Sequence, residues 1–455
     1  MVYRYRIALI FLIGFFIDCI NIFMSAISLP DIARELSVSA SSVVWVANSY
    51  ILGLTLIIPI SNWLASQFSD RLTIVASMLI FSLGALLAGT ANDFYSLVTF
   101  RFIQGVGGGL LIPVGQALTF NLFKNKERAK ISTLVMAVAL IAPAISPTIG
   151  GIIVDHASWR WVFLCNIPFS LLTALLALLW IRSEETKVKR PDLKGLMLVS
   201  ISLATILIGL SLYADAGSKL KSLLFLIIGF VFAMAYLKYY QDKSDPILDL
   251  KMLHNIHMRF SVLIYHAVPG VFTGVNLLSI FFLQDELGWS AEQTGSLMIL
   301  YATGSFFAMV MGGRLYNRIG AQPLFLSGLL LHSSGIAVLS LAGNTLTLPL
   351  LIIAYLLMGM GGGISANTAQ TTAMMDFDEE QLTRASTIWN LNRQMSFSIG
   401  AAFFTLVFNL LQQYTTDMSA YQLTFLIASV VGLSPLLLIK KLTQKKDSLC
   451  YPKEN

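Results

Sequence analysis

The sequence predicts an all-α polytopic membrane protein of fourteen transmembrane helices, built as two related six-helix bundles with a helix pair inserted between them. Three observations predict it. Of 455 residues, 56% are hydrophobic and only 12% charged, about half the charged share of a typical soluble domain. Apolar runs near the roughly 20 residues that cross a bilayer recur from one end to the other. Basic residues are dense in alternate connections and sparse in those between, as membrane topology demands.

The runs, read against turn and charge signals, place spans over 7–29, 43–66, 73–91, 96–122, 131–154, 162–182, 195–213, 222–240, 260–283, 291–313, 323–342, 347–371, 385–411 and 421–439. The first follows "MVYRYR" and stays apolar to Leu29 without a small-residue cleavage site, so it reads as a span and not a leader. With a cytoplasmic N-terminus, 24 of the 30 lysines and arginines fall on the inside. Only Arg34, Arg160, Lys219 and Lys221 fall outside, and Arg101 and Arg393 lie within spans. Both termini are therefore expected in the cytoplasm, with the chain integral to a bacterial inner (plasma) membrane. The net charge of +6 follows from topology and implies no nucleic-acid partner. Cys19, Cys165 and Cys450 show no metal or redox spacing. His254 and His257 sit in a cytoplasmic loop, and His266 and His332 stand alone in apolar stretches as packed or interfacial residues. No metal and no cofactor is expected.

An internal repeat sets the domain plan. "QGVGGGLLIPVGQAL" (104–118) is echoed by "MGMGGGISANTAQTT" (358–372). Gly105, Gly107, Gly108, Gly109 and Gln116 recur 254 residues later as Gly359, Gly361, Gly362, Gly363 and Gln370. "NWLASQFSDRL" after span 2 is a weaker echo of "GRLYNRIGAQP" after span 10, offset by 251. The expected domains are an N-terminal bundle over 1–183, an inserted pair with its loops over 184–257, a C-terminal bundle over 258–441 and a tail over 442–455. Paired bundles around a central cavity are a transporter architecture, in which one half rocks against the other. The short loops leave no room for a soluble catalytic domain. No GxxxxGK[ST] phosphate loop occurs, so an ion gradient, not ATP, is the expected driving force. The chain does not read as an enzyme, since only one acidic residue lies deep in a span.

These residues resemble the major facilitator superfamily, and within it the fourteen-span drug:proton antiporter family. "RFIQGVGGG" (101–109) is similar to that family's fourth-span motif, in which the arginine is implicated in proton coupling and the glutamine faces the cavity. "AVALIAPAISPTIGG" (137–151) resembles the fifth-span antiporter motif GPxxGPxxGG. Pro143, Pro147, Gly150 and Gly151 are kept, while the first two glycines are Ala142 and Ser146. "WRWVFLCNIP" (159–168) matches WRWxFxxNxP at the start of span 6, and "DPILDLKML" (245–253) looks like the loop leading into span 9. Two departures stand out. The loop after span 2, normally GxLaDRxGrr, has Asn62, Ser66 and Ser69 where Gly, Asp and Gly are expected. In span 1, where the family writes DxTxxNxALP, Asn21 occupies the aspartate position and a carboxylate, Asp18, sits one turn earlier.

Asp18 is the one acidic residue deep in a span, ~16 Å into a core ~30 Å thick at ~1.5 Å per residue. A carboxylate there must face a cavity or a partner, and Arg101 is the expected partner. Asp18, modulated by Arg101, is the expected proton carrier; a structural hydrogen-bonding role shared with Asn21 is the alternative. Asn21, Asn48, Gln104, Gln116, Asn276, Asn367, Asn390, Asn392 and Arg393 are the other polar residues at membrane depth. Each is a candidate for the cavity wall or for holding helices together. The span-5 prolines should bend that helix, and its small residues should let a gate close there, with a purely structural kink as the alternative. The reading is a proton-coupled exporter of amphipathic small organic molecules such as drugs, dyes or a metabolite of siderophore type. Its partners are protons, substrate and lipid, and it is expected to be monomeric. A proton symporter importing a specific solute, or a non-transporting membrane sensor, are the alternatives.

Overall fold

The computed structural model describes residues 3–123, 126–182, 192–214, 219–243, 246–343, 347–377 and 379–442, and it is helical with no strand among them. Within lipid a backbone must satisfy its polar groups inside the segment, which long helices do. Twelve described helices are long and apolar enough to cross a membrane, and a shorter apolar helical stretch, Trp45–Ser61, is a further candidate. The span expected over 131–154 falls inside a 31-residue helix, Lys126–His156, that runs unbroken through both prolines. The tail over 443–455 and the side chains of Asn62, Ser66 and Pro143 lie outside the described residues.

The chain packs as two compact units: residues up to 247 together with 283–298, and residues 248–282 together with those from 299 onward. In the first unit α1 (Tyr3–Ile27) is followed by the short α2 (Leu29–Glu35) and α3 (Ala40–Val43). Then come α4 (Trp45–Phe68), α5 (Asp70–Gly89), α6 (Phe94–Leu122) and α7 (Lys126–His156). Next are α8 (Trp159–Leu164) and α9 (Asn166–Trp180), and then α10 (Leu193–Ala214) and α11 (Lys219–Tyr239). Helix α6 is the centre of this unit, lying against α1, α4 and α5, while α7 lies along α1 and α10 along both α11 and α4. In the second unit α12 (Ile256–Tyr265) and α13 (Val271–Phe281) are joined by a π-helical turn at His266–Gly270. They precede α14 (Ala291–Ile319), whose first turns up to 298 belong to the first unit, and α15 (Ala321–Leu339), α16 (Thr347–Met374), α17 (Glu379–Gln412) and α18 (Asp417–Gly432). Its core gathers Phe260, Tyr265, Phe325, Leu329 and Trp389.

The repeated glycines explain the central packing of each unit. A Cβ on Gly105 would fall on the Tyr50 carbonyl oxygen, and one on Gly359 on the Tyr301 carbonyl oxygen. Gly109 meets the Leu54 carbonyl, and Gly363 that of Ser305; Gly107 meets the Phe81 amide, and Gly361 that of His332. The glycines are offset by 254 and their contacts by 251, the two offsets of the sequence repeat. Small residues thus bring α6 onto α4 and α5, and α16 onto α14 and α15, at backbone contact.

The same repeat accounts for the serine that stands where the family pattern has glycine. Ser69, between α4 and α5, adopts φ +78° and ψ 151°, and Gly320, 251 residues on between α14 and α15, adopts φ +77° and ψ −177°. That region is costly for any residue with a side chain. Ser69 offsets part of the strain by capping α5, its hydroxyl accepting from the Leu72 amide at 3.4 Å.

At one end of the first unit, the WRW motif clamps α2. Glu35 accepts from Trp159 Nε1 at 2.6 Å and from Arg160 Nη1 at 2.5 Å, and the Arg160 guanidinium lies 4.3 Å from the Trp159 ring centre. Asn166, the asparagine of that motif, donates to the carbonyls of Val162 and Phe163 at the junction of α8 and α9.

Two predictions follow from these connections. Ser69→Gly should stabilise the protein by about 1 kcal/mol, the relief of strain outweighing the few tenths lost with the cap. Thermal unfolding in detergent beside wild type checks it, and an unchanged or lower midpoint would contradict the strain. The hydrogen bond from Arg160 holds the Glu35 carboxyl below its ordinary 4.5. The clamp is therefore present above that value and is lost as pH falls through the lowered one. Trp159 fluorescence, taken as wild type minus Glu35→Gln, should change with a midpoint below 4.5; a midpoint above it would contradict the assignment.

Candidate functional site

Helix α1 carries Asp18, Asn21 and Ser25 at spacings of three and four, one helical face. Helix α6 carries Arg101, Gln104 and Gly108 at the same spacings, and the two faces meet in opposite directions as three tiers. In the first tier Arg101 Nη2 donates to Ser25 Oγ at 3.3 Å. In the second, Gln104 Nε2 donates to Asn21 Oδ1 at 3.2 Å, and Arg101 Nη1 donates to the same oxygen at 3.1 Å. In the third, a Cβ on Gly108 would lie 2.8 Å from Asp18 Oδ1 and 2.7 Å from the Tyr50 hydroxyl. The glycine there makes room for a carboxylate and a phenol side by side. Tyr50, from α4, donates its hydroxyl hydrogen bond to Asp18 Oδ1.

Arg101 is completely buried, and Asp18 is 3% exposed. A buried guanidinium needs acceptors for its donors and a compensating charge nearby. Nε donates to the Val46 carbonyl at 3.0 Å and Nη1 also to Gln104 Oε1 at 2.7 Å, so that with Asn21 and Ser25 four of the five N–H donors have an acceptor. The rings of Tyr50 and Phe163 lie 4.4 and 5.1 Å from the guanidinium carbon, within the range of cation–π attraction. The expected Asp18–Arg101 partnership thus takes a particular form. The hydrogen bonds of Arg101 go to Asn21, Gln104, Ser25 and Val46, while Tyr50 touches both the acid and the arginine.

The second unit repeats the frame with other chemistry. At the positions 254 residues on, Tyr355 stands for Arg101 and Ser279 for Ser25, their hydroxyls 3.0 Å apart. Val275 and Met358 replace Asn21 and Gln104, and Phe272 replaces Asp18. Tyr301, the counterpart of Tyr50, stacks on Phe272 with ring centres 4.0 Å apart. Its hydroxyl lies over Gly362 as that of Tyr50 lies over Gly108.

Among the other expected positions, Asn48 is buried near the start of α4 and Gln116 half-buried on α6, five residues beyond Leu111. In the second unit Asn276 is half-buried on α13, Asn367 on α16, and Asn390 and Arg393 on α17, with Asn392 buried beside them. These stand on three helices. His332 is buried, with Nδ1 3.0 Å from the Met358 carbonyl oxygen, and His257 pairs with Asp376 at 2.6 Å. Among the described residues no cluster of His, Cys, Asp and Glu could hold a metal ion. Tyr50 and Ser25 were not among the residues expected from sequence.

The antiporter-like motif forms a second feature of the first unit. On α7 a Cβ at Gly151 would fall on the Ala291 carbonyl, and one at Gly150 would lie 2.6 Å from the Met24 side chain. A Cβ at Gly295 would in turn fall on the Pro147 carbonyl, and Thr148 Oγ1 donates to the Gly295 carbonyl at 3.1 Å. Asp155 accepts from the Ala291 and Glu292 amides at 3.2 and 2.8 Å, covering donors that open the first turn of α14. Nearby, Arg34 bridges Asp31 and Asp285 at 2.6 and 3.1 Å.

Comparison with known proteins agrees with this arrangement. The family profile described as Major Facilitator Superfamily matches residues 11–391 and 262–449. A multidrug resistance protein B homolog of Mycobacterium tuberculosis is 30% identical over 366 residues, covering 79% of this chain and 68% of its own. The putative multidrug resistance protein MdtD of Yersinia enterocolitica is 26% identical over 394 residues, covering 86% and 83%. The probable transport protein HsrA of Haemophilus influenzae is 26% identical over 408 residues, covering 89% and 88%. Among solved structures, a POT family transporter in complex with a thioalcohol-conjugated peptide superimposes with a TM-score of 0.70 at 15% identity, covering 96% of each chain. The xylose transporter XylE from E. coli does so with 0.64 at 12% identity, covering 97% of this chain and 98% of its own. The chain belongs to the Major Facilitator Superfamily, and it is an integral membrane transporter and not an enzyme.

Proposed function

We propose that the chain exports small amphipathic organic molecules across a bacterial inner membrane in exchange for protons. Both termini would lie in the cytoplasm, and the chain would work as a monomer. The observation that carries this reading is Asp18, a carboxylate within the spans that is hydrogen-bonded by Tyr50 beside a fully buried Arg101. Such a group is charged or neutral according to how much water and positive charge it feels. Opened to the outside, it takes a proton as substrate departs; opened to the cytoplasm, it returns to the carboxylate as substrate enters. The multidrug-resistance names of the relatives supply the substrate class. With one deep acid beside Arg101 in the first unit, its surroundings are not strongly anionic, which favours monovalent, neutral or zwitterionic substrates over dications.

The small-residue face of α7 supports exchange over uniport. At Pro147 and Gly151 the first turns of α14 lie on α7 at backbone contact, while Gly150 brings α7 onto Met24 and Ile27 of α1. Such a seal closes without trapping solvent and releases as one piece. With its side chain set aside, Pro143 belongs to the same motif.

The test is transport by purified protein in proteoliposomes under an imposed pH gradient. Wild type should accumulate a monovalent cationic dye and exclude a divalent one, and Asp18→Asn should fall to the level of protein-free vesicles while still binding the dye. Proton-driven accumulation that survives Asp18→Asn would sink the reading. In the same vesicles Gly151→Leu should fail to close. The added side chain overpacks the contact with Ala291 by about 1–3 kcal/mol, so exchange is lost or protons leak; wild-type exchange in this variant would remove the gate from α7.

A further inference from the structure

The hydroxyl of Tyr50 is set against Asp18 by three independent features. Gly105 admits the backbone of Tyr50 to α6. Gly108 leaves open the space that its hydroxyl and the carboxylate share. The ring is fixed by Arg101 at 4.4 Å and by the edge of Phe81, with centroids 6.5 Å apart. None of these requires a hydroxyl; Phe would serve the packing equally. In the second unit the same glycine spacing holds Tyr301, whose ring stacks on Phe272 where no carboxylate is present. The tyrosine frame is thus common to both units, and only in the first is it turned to an acid.

We propose that Tyr50 is the positioning residue of the Asp18 proton site: its hydroxyl donates to Oδ1 and holds the carboxylate for its exchange with water. This rests on the reading of Asp18 as the carrier. The proton comes from water, forms a bond to the carboxylate and later returns to water. The Tyr50 O–H bond stays intact and Arg101 remains a cation throughout. A donor held on one carboxylate oxygen favours the charged form, so Tyr50 lowers the proton affinity of Asp18 and promotes release towards the less acidic side. Among the described residues the titratable groups set near Asp18 include Tyr50 from α4, which bonds it, and Arg101 from α6, over whose guanidinium the Tyr50 ring lies.

Infrared titration of the full chain in lipid reads this directly, since the carbonyl band of a protonated carboxyl that disappears in Asp18→Asn reports on Asp18 alone. Tyr50→Phe should raise the midpoint of that band by about one pH unit, a tenfold increase in proton affinity. Gly108→Ala, which pushes the two groups apart from the other side, should move it in the same direction, and Tyr301→Phe should not move it. In dye exchange, the pH optimum of Tyr50→Phe should rise with the band while kcat falls and KM holds. A midpoint that stays or falls in Tyr50→Phe, an equal shift in Tyr301→Phe, or no titrating Asp18 band in wild type overturns the assignment. The spectroscopy needs no substrate. A chain whose Asp18 band shifts as stated but which does not exchange dye for protons would end the exporter reading and leave Tyr50 in its role.

Discussion

The first unit is organised around one constraint, a guanidinium with no access to water. Removing such a charge from solvent is expensive enough that its donors need acceptors and a negative partner must stand near. For four of its five N–H donors Arg101 finds an amide oxygen from α1, another from its own helix, a hydroxyl from α1 and a backbone carbonyl from α4. Those acceptors come from three helices, so the helices must lie close. The glycines of α6 satisfy that requirement, since any Cβ at Gly105 or Gly109 would strike the backbone of α4. The glycine run and the buried arginine are therefore one device, and the proposed proton site is built on its lower tier.

The second unit shows what the frame is without the charge. Its glycines make the same backbone contacts, and Tyr355 meets Ser279 as Arg101 meets Ser25. Yet Val275, Met358 and Phe272 occupy the places of Asn21, Gln104 and Asp18. With no cation at these matched positions, no amide network is needed, and stacked aromatic rings fill the space. The duplicated scaffold keeps its packing and divides its chemistry, with the acid and the arginine at the matched positions of the first unit.

Much of this was legible in the sequence, and the limits are physical. Hydropathy located the helices because lipid leaves a chain few other choices. The repeated glycines signalled close packing because a glycine run within an apolar helix has few other uses. Asp18 and Arg101 stood out because charges within spans are rare. Tyr50 did not, because a phenol in an apolar run carries the same signal whether its hydroxyl reaches an acid or a neighbouring ring. Only the 251-residue link to Tyr301, together with the matching spacings on α1 and α6, would have singled it out. Ser69 was visible as a departure from the family pattern, but its strain required the backbone angle.

The shift of the acid from position 21 to position 18 now has a structural sense. An aspartate at 21 would receive the Arg101 Nη1 hydrogen bond that Asn21 receives, and the two charges would neutralise each other in direct contact. A carboxylate so paired is reluctant to accept a proton. With asparagine at 21 the arginine keeps its acceptors without a salt bridge, and the acid lies one tier away, joined to it through Tyr50. The attraction that remains acts through space and changes with the water around it. In the proposed exchange that is an advantage: the affinity of Asp18 for its proton is then governed by which side of the membrane wets the site, with no strong bond to break at each turn of the cycle.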